Sequence, residues 1–237
     1  MEEVARTLSA LSDGGRVESY VADLSRMDDV EALAKAVVER HVNLDVLINN
    51  AGIFRTSTPI NQDGLDVRFA VNTIAPYLLT QRLMPLLGAS ARVINLSSAA
   101  QSPVDPEALA GRVELSDFEA YAQSKLALTM WSRNMALTLK DNGPAIIAVN
   151  PGSMLGTKMV KEAFGVAGGD IRIGAEILTR AALSDEFESA SGQYFDNDSG
   201  RFASPHRDAL DSQKSEEVVG AIEVVLAEIT QSGRVTG

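Results

Sequence analysis

Three short apolar runs constrain this chain more than anything else in it. Residues 44–48, 91–96 and 145–149 are each apolar almost without interruption, and each ends in a small polar or glycine-bearing turn: Asn49-Asn50-Ala51-Gly52, Ser97-Ser98 and Asn150-Pro151-Gly152. Longer stretches of helical periodicity separate them. A short continuous apolar run between helices marks a strand buried on both faces, and this alternation predicts a parallel sheet with crossover helices. In such sheets ligands bind beyond the carboxyl ends of the strands. The three turns are therefore expected to converge on one edge.

A second constellation suggests what that edge does. Tyr121 and Lys125 lie four residues apart in a predicted helix, so they share a face about 6 Å apart along its axis. A cation close to a phenol favours the phenolate and lowers its pKa, which suits the tyrosine to acid-base work on a carbonyl or alcohol. Taken alone, the spacing also fits an ordinary solvated helix face. Its value comes from its position after the serine-bearing turn.

In that order the motifs resemble the short-chain dehydrogenase/reductase family: Asp23 after a first strand, Asn49-Asn50-Ala51-Gly52, Asn72 in the next helix, Ser98, Tyr121 with Lys125, and Asn150-Pro151-Gly152 followed by Thr157. The run from Tyr121 to Ala127, the insert between Ser98 and Tyr121, and Ser191-Gly192-Gln193-Tyr194-Phe195 are similar to the retinol-dehydrogenase and protochlorophyllide-reductase branch. The resemblance implies an α/β fold, a Rossmann-like doubly wound parallel sheet in a single domain over residues 1–237, without the family's first two strands and the glycine-rich turn that joins them to a helix. It implies hydride transfer between NAD or NADP and a carbonyl or alcohol, the apolar insert and flap suggesting an apolar substrate. Tyr121 would pass the proton, Lys125 would tune it and hold ribose hydroxyls, and Ser98 would bind the substrate oxygen. Asn72 would tie a water and Lys125 into a proton relay. Asp23, Leu24, Asn49, Ala51 and Gly52 would line the adenine-ribose side, and Pro151, Gly152 and Thr157 would meet the carboxamide. The lost turn is the usual pyrophosphate site, so a cofactor-deficient interaction scaffold stands as the alternative.

Composition narrows the remaining classes. A net charge of −11 in 237 residues disfavours nucleic acid or anionic membrane as partner. With no cysteine, disulfides and thiolate catalysis are excluded. Neither His41 nor His206 sits in a metal-ligand or serine-activating motif, so metal and serine-hydrolase readings have no support. No membrane span or leader is read, giving the cytoplasm as the expected compartment. Helices are predicted over residues 2–11, 27–41 (capped by Ser25), 64–87, 118–141, 171–183 and 216–229, a first strand over 16–22 after a Gly14-Gly15 turn, and a last edge strand at 193–195. The family resemblance implies that the helices over 64–87 and 118–141 pack against their copies in a homodimer or homotetramer, and Leu126, Leu128, Met130 and Trp131, covering more than one face of the second helix, fit burial on two sides.

Overall fold

A computed structural model describes residues 2–11 and 15–235; Gly14 lies outside them. Three parallel strands form the centre: β1 (Leu44–Asn49), β2 (Leu87–Leu96) and β3 (Ala145–Asn150). They are joined by β4 (Tyr194–Asp196), parallel to β3, and β5 (Arg201–Ala203), antiparallel to β4. The order among the described residues is β1-β2-β3-β4-β5. The strand expected at 193–195 is thus not the edge. A short turn after Asp196 brings β5 back to cover it.

Successive residues of β2 and β3 serve opposite layers, as the two-residue period of a strand requires. Val93 and Ile146 face a core built with α2 (Met27–Arg40), α4 (Ala75–Leu83), α6 (Asp117–Leu139) and α9 (Ser212–Val235). Ile94 and Ile147 face a second, smaller core with Ile177 and Ala181 of α8 (Ile171–Leu183) and the ring cluster of Phe187, Phe195 and Phe202. Helices on both faces of a mostly parallel sheet make the fold a doubly wound α/β architecture.

Residues 16–22 do not form the expected strand. They adopt no regular structure and have no sheet partner among the described residues, and Val21 is 90% exposed. A strand exists only through its neighbours, and β1 pairs with β2 alone among the described residues. Nearby, Ser25 does not cap α2. The N-cap is Arg26 without a side-chain bond, while Ser25 turns back to donate to Asp23 Oδ1 (2.7 Å).

The helix expected over 64–87 is a composite. It begins at α3 (Val67–Phe69), capped by Asp66, widens into a π-turn over Ala70–Ile74, and continues as α4 with a 3₁₀ end. β2 then starts at Leu87, earlier than expected. Such π-turns are local and frequently mark functional sites. This one carries Asn72. α6 starts on a reciprocal capping box between Ser116 and Glu119, which fixes the phase of the helix and so the direction of Tyr121 and Lys125. Arg68, fully buried, bridges Asp66 and Asp117 and so ties the start of α3 to the start of α6.

The four apolar residues read as an oligomer face are buried inside the chain itself. α6 runs down the first core between β3 and α9, so both of its apolar sides are used internally. They supply no surface for a second copy.

Candidate active site

The carboxyl ends of β2 and β3 open into a cavity of about 780 Å³. It receives Asn50, Ala51 and Gly52 from the turn after β1, Ser98 from the turn after β2, Tyr121 and Lys125 from α6, and Pro151 and Gly152 from the turn after β3. The predicted convergence of three turns is therefore what the fold produces. The flap that follows, with Thr157, Met159 and Phe164, covers the cavity, and α8 closes its far side.

Tyr121 is largely buried, with the Ser98 side chain beside its hydroxyl. Lys125, 4% exposed, donates from Nζ to the Leu96 carbonyl (2.7 Å) and stands 5.8 Å from the centre of the Tyr121 ring. Burial drives both groups toward their neutral forms. It pushes the Tyr121 phenol up, opposed in part by Ser98, and pushes the Lys125 ammonium down to about 8. The sequence argument expected the lysine to lower the phenol's pKa. In this chain desolvation of both groups outweighs that attraction, because the amine is itself buried and directs a donor at a main-chain oxygen.

Ser98 is held by its surroundings. Its Oγ accepts from Ala100 N (3.1 Å), and its carbonyl accepts from Tyr194 Oη (3.1 Å) and Gln101 Nε2 (2.9 Å). Asn72 is fully committed too. Its Oδ1 accepts from Ile53 N (2.8 Å), and its Nδ2 donates to Ile53 O (2.9 Å) and Ser124 Oγ (3.0 Å). The side-chain amide thus clamps the segment leaving Gly52, and the relay expected of it has no free side-chain donor.

Other expected residues separate into two groups. A second, more open cavity of about 660 Å³ is lined by Asp23, Leu24, Ala51 and Gly52, so these four lie together on the expected adenine side. Asn49 does not join them. Its Nδ2 donates to Asn95 Oδ1 (2.7 Å) and Thr80 Oγ1 (3.2 Å), under the sheet and outside both cavities; a one-residue step along a strand reverses the side chain's face, and Asn50 points to the site instead. Thr157 lines the first cavity, but its Oγ1 accepts from Val160 N (3.3 Å) as the N-cap of α7 (Lys158–Phe164).

Met159 and Phe164 line the cavity, as expected of the apolar flap, whereas Phe54 escaped the sequence argument. The Phe54 ring meets Tyr121 edge-on at 4.9 Å between centroids and Phe164 at 5.7 Å. A Cβ placed on Gly52 would lie 3.4 Å from both Lys125 Nζ and Asn72 Oδ1 and 3.7 Å from the Met159 methyl. Glycine keeps this approach to the lysine narrow but open. The one available signal was position, since Phe54 follows the glycine turn directly.

The nicotinamide end of a dinucleotide fits this donor set. Lys125 spends one of its three donors on Leu96, Gly52 leaves close access beside it, and the two cavities meet at Ala51 and Gly52. Among the described residues no glycine-rich turn at a helix N-terminus faces the gap where a pyrophosphate would lie. The fit is thus to the nicotinamide and ribose end.

Comparison with known proteins agrees with the fold. A family profile described as short chain dehydrogenase matches residues 1–165. The chain belongs to the short-chain dehydrogenase family. Retinol dehydrogenase 13 of Mus musculus is 32% identical over 214 residues, covering 82% of this chain and 64% of that protein. Retinol dehydrogenase 12 of Bos taurus is 30% identical over 224 residues, covering 86% and 68%. The chain spans about two thirds of the length of these curated relatives. A crystal structure of a Mycobacterium paratuberculosis protein covers 94% of this chain and 79% of its own at 25% identity, with a TM-score of 0.74. A Burkholderia cenocepacia short chain dehydrogenase in complex with NADP covers 82% and 80% at 26% identity, with a TM-score of 0.63.

Proposed function

We propose that the chain acts as an NAD- or NADP-dependent oxidoreductase on an apolar carbonyl compound or alcohol. The observation that carries this reading is the meeting of Ser98, Tyr121 and Lys125 in one apolar-walled cavity at the carboxyl ends of β2 and β3. The cofactor supplies the hydride when bound. The protein's own residues position the substrate oxygen and handle its proton. Ser98, beside the Tyr121 hydroxyl, stabilises charge that develops on that oxygen. Tyr121, kept protonated by burial, is prepared to donate to a forming alkoxide. Lys125 offers its remaining donors to ribose hydroxyls. Pro151, Gly152 and Thr157 line the cavity wall where a carboxamide would be met, while Asp23, Leu24, Ala51 and Gly52 serve the adenine side. Asn72 contributes by fixing the Ile53 backbone.

The named retinol dehydrogenases and the NADP-bound structure support this chemistry for the chain by relationship. Phe54, Phe118, Leu178 and the flap's Met159 and Phe164 supply the apolar walls. The proposal extends to a small molecule as partner in place of nucleic acid, in line with the net charge of −11, to assembly as a homodimer or homotetramer, which family resemblance alone supports, and to the cytoplasm as compartment. No helix of the described residues is long and apolar enough to cross a membrane. Titration with NADH and with NADPH, followed by nicotinamide fluorescence, tests the central reading. Saturable binding of either is expected, and no binding of both defeats it in favour of the scaffold alternative. Light scattering tests the assembly.

A further inference from the structure

The Phe54 ring lies between two parts of the site that chain order keeps far apart. On one side is Tyr121 of α6, met edge-on at 4.9 Å; on the other is Phe164, the last residue of the flap helix α7, at 5.7 Å. Phe54 is 6% exposed, whereas Phe164 is 52% exposed. The first ring is set in the body of the protein and the second only rests on it. Behind Phe54, the Asn72 amide grips both the N–H and the carbonyl of Ile53, so Phe54 has a fixed backbone on which its ring is aimed.

The flap is a closed loop with a tight neck. Its two ends are stitched by Gly156 N to Gly169 O and Gly169 N to Met154 O, both 2.7 Å. A Cβ at Gly156 would come within 2.7 Å of the Gly169 carbonyl, so that close neck admits only glycine. Beyond the neck, α7 reaches the body through the buried Ala163, through Phe164 on Phe54, and through Met159, whose methyl lies by Gly52 near Lys125. Met159 thus borders the approach to the lysine.

We propose that Phe54 is a positioning residue that latches the flap to the proton donor, so that lifting Phe164 off Phe54 and freeing the Tyr121 ring are one event. An apolar group of the ligand, a ring or a branched chain next to the oxygen-bearing carbon, takes the place that Phe164 leaves. The inference rests on the proposed activity only for the role of Tyr121. Its structural content stands on the three rings. Aromatic contacts of this kind add to simple burial and are sensitive to loss of either ring.

The test needs neither nucleotide nor turnover. Lys158 and Lys161 on α7 are trypsin sites, and native-state cleavage there reports how often the flap opens. Phe54→Ala and Phe164→Ala are each expected to speed that cleavage about three- to tenfold, with the double variant no faster than the faster single. Unchanged cleavage in Phe54→Ala, or effects that multiply in the double variant, overturns the latch. Phe54→Leu retains apolar bulk without the ring; should Phe54→Ala fail to fold by circular dichroism, Phe54→Leu carries the same comparison. The second readout is titration of the Tyr121 phenol by near-ultraviolet absorbance, taken as the difference from Tyr121→Phe. Phe164→Ala, which removes a ring with no recorded ring contact to Tyr121 among the described residues, is expected to move that titration toward the ordinary tyrosine value, and not to move it in a Phe54→Leu background. A purely structural Phe54 gives no such dependence, and an unmoved titration in Phe164→Ala overturns the proposal. Loss of nucleotide binding leaves the latch standing, and loss of the latch leaves the oxidoreductase reading standing.

Discussion

The two ends of the cofactor path differ in how completely this chain builds them. At the nicotinamide end, Ser98 follows β2 and Tyr121 and Lys125 stand on α6, and both Ser98 and Lys125 are held by named partners. At the adenine end, Asp23 is exposed in a segment without sheet partners, its carboxylate taken by Ser25, and among the described residues β1 has a neighbour on one side only. The proposed catalytic constellation depends on β2, β3 and α6, which carry their own core. The adenine side depends on backbone pairing at the β1 edge. Chemistry and nucleotide grip are therefore separable properties of the fold.

The comparison is sharpened most by Tyr121→Phe. If the nicotinamide end supplies a proton donor rather than a surface, turnover of apolar aldehydes falls about 10²- to 10⁴-fold while nucleotide fluorescence titrations and melting temperature stay close to wild type. Turnover that survives the substitution assigns the proton to another group. Next in size is the core under that end. Ile147→Ala, a fully buried residue of β3, is expected to cost about 2–5 kcal/mol by chemical denaturation. A cost under about 1 kcal/mol would show that this half is no better packed than the other.

Lys125→Met turns the comparison into a pH measurement. A lysine held at about 8 against an ordinary 10.5 is charged in the unfolded chain over a range where it is neutral when folded. The unfolded state thus binds more protons between those values, and stability rises with pH across that window. Below pH 8 the full penalty of the buried charge applies, roughly 3 kcal/mol at most. Methionine removes the penalty and one hydrogen bond, so Lys125→Met is expected to be the more stable protein at pH 7, by about 2 kcal/mol after that loss. The gap should close as the pH approaches 10. A variant that melts lower than wild type at pH 7 would show that the lysine is stabilising and fully solvated or paired.

Much of this was legible in the chain because it rests on period and position. Short apolar runs ending in small residues located β2, β3 and the cavity edge, and four-residue spacing put Tyr121 and Lys125 on one face. What stayed hidden depended on partners that sequence does not name. Residues 16–22 carry a strand-like pattern yet lack a neighbour to pair with. Asn49 and Asn50 are indistinguishable as letters, and only register decides which one faces the site. The π-turn that offers Asn72 to Ile53 has no simple pattern of its own. Tyr121 and Lys125 predicted attraction, but burial, a property of the whole fold, set the direction of both shifts. The apolar faces of α6 were correctly read as buried and wrongly given to a second copy, since periodicity says that a face is covered and not by what.

The smallest expected effect probes the weaker end. Val21 is as apolar as Ile147, but it sits in the unpaired segment with most of its surface in water. An exposed side chain loses almost no burial when shortened, so Val21→Ser should change stability by less than about 0.5 kcal/mol, in contrast to the loss at Ile147 on the same denaturation assay. Hydrogen exchange gives the complementary view, because amides of residues 16–22 without sheet partners should exchange far faster than those of β2 and β3. If Val21→Ser instead costs as much as a core truncation, or if those amides are protected, the segment is paired in solution. The contrast between the two ends then fails, because the adenine side would have a strand to organise it. The unpaired backbone along β1 is the place where such a strand would add, since its free donors and acceptors are the ones a new ladder would use.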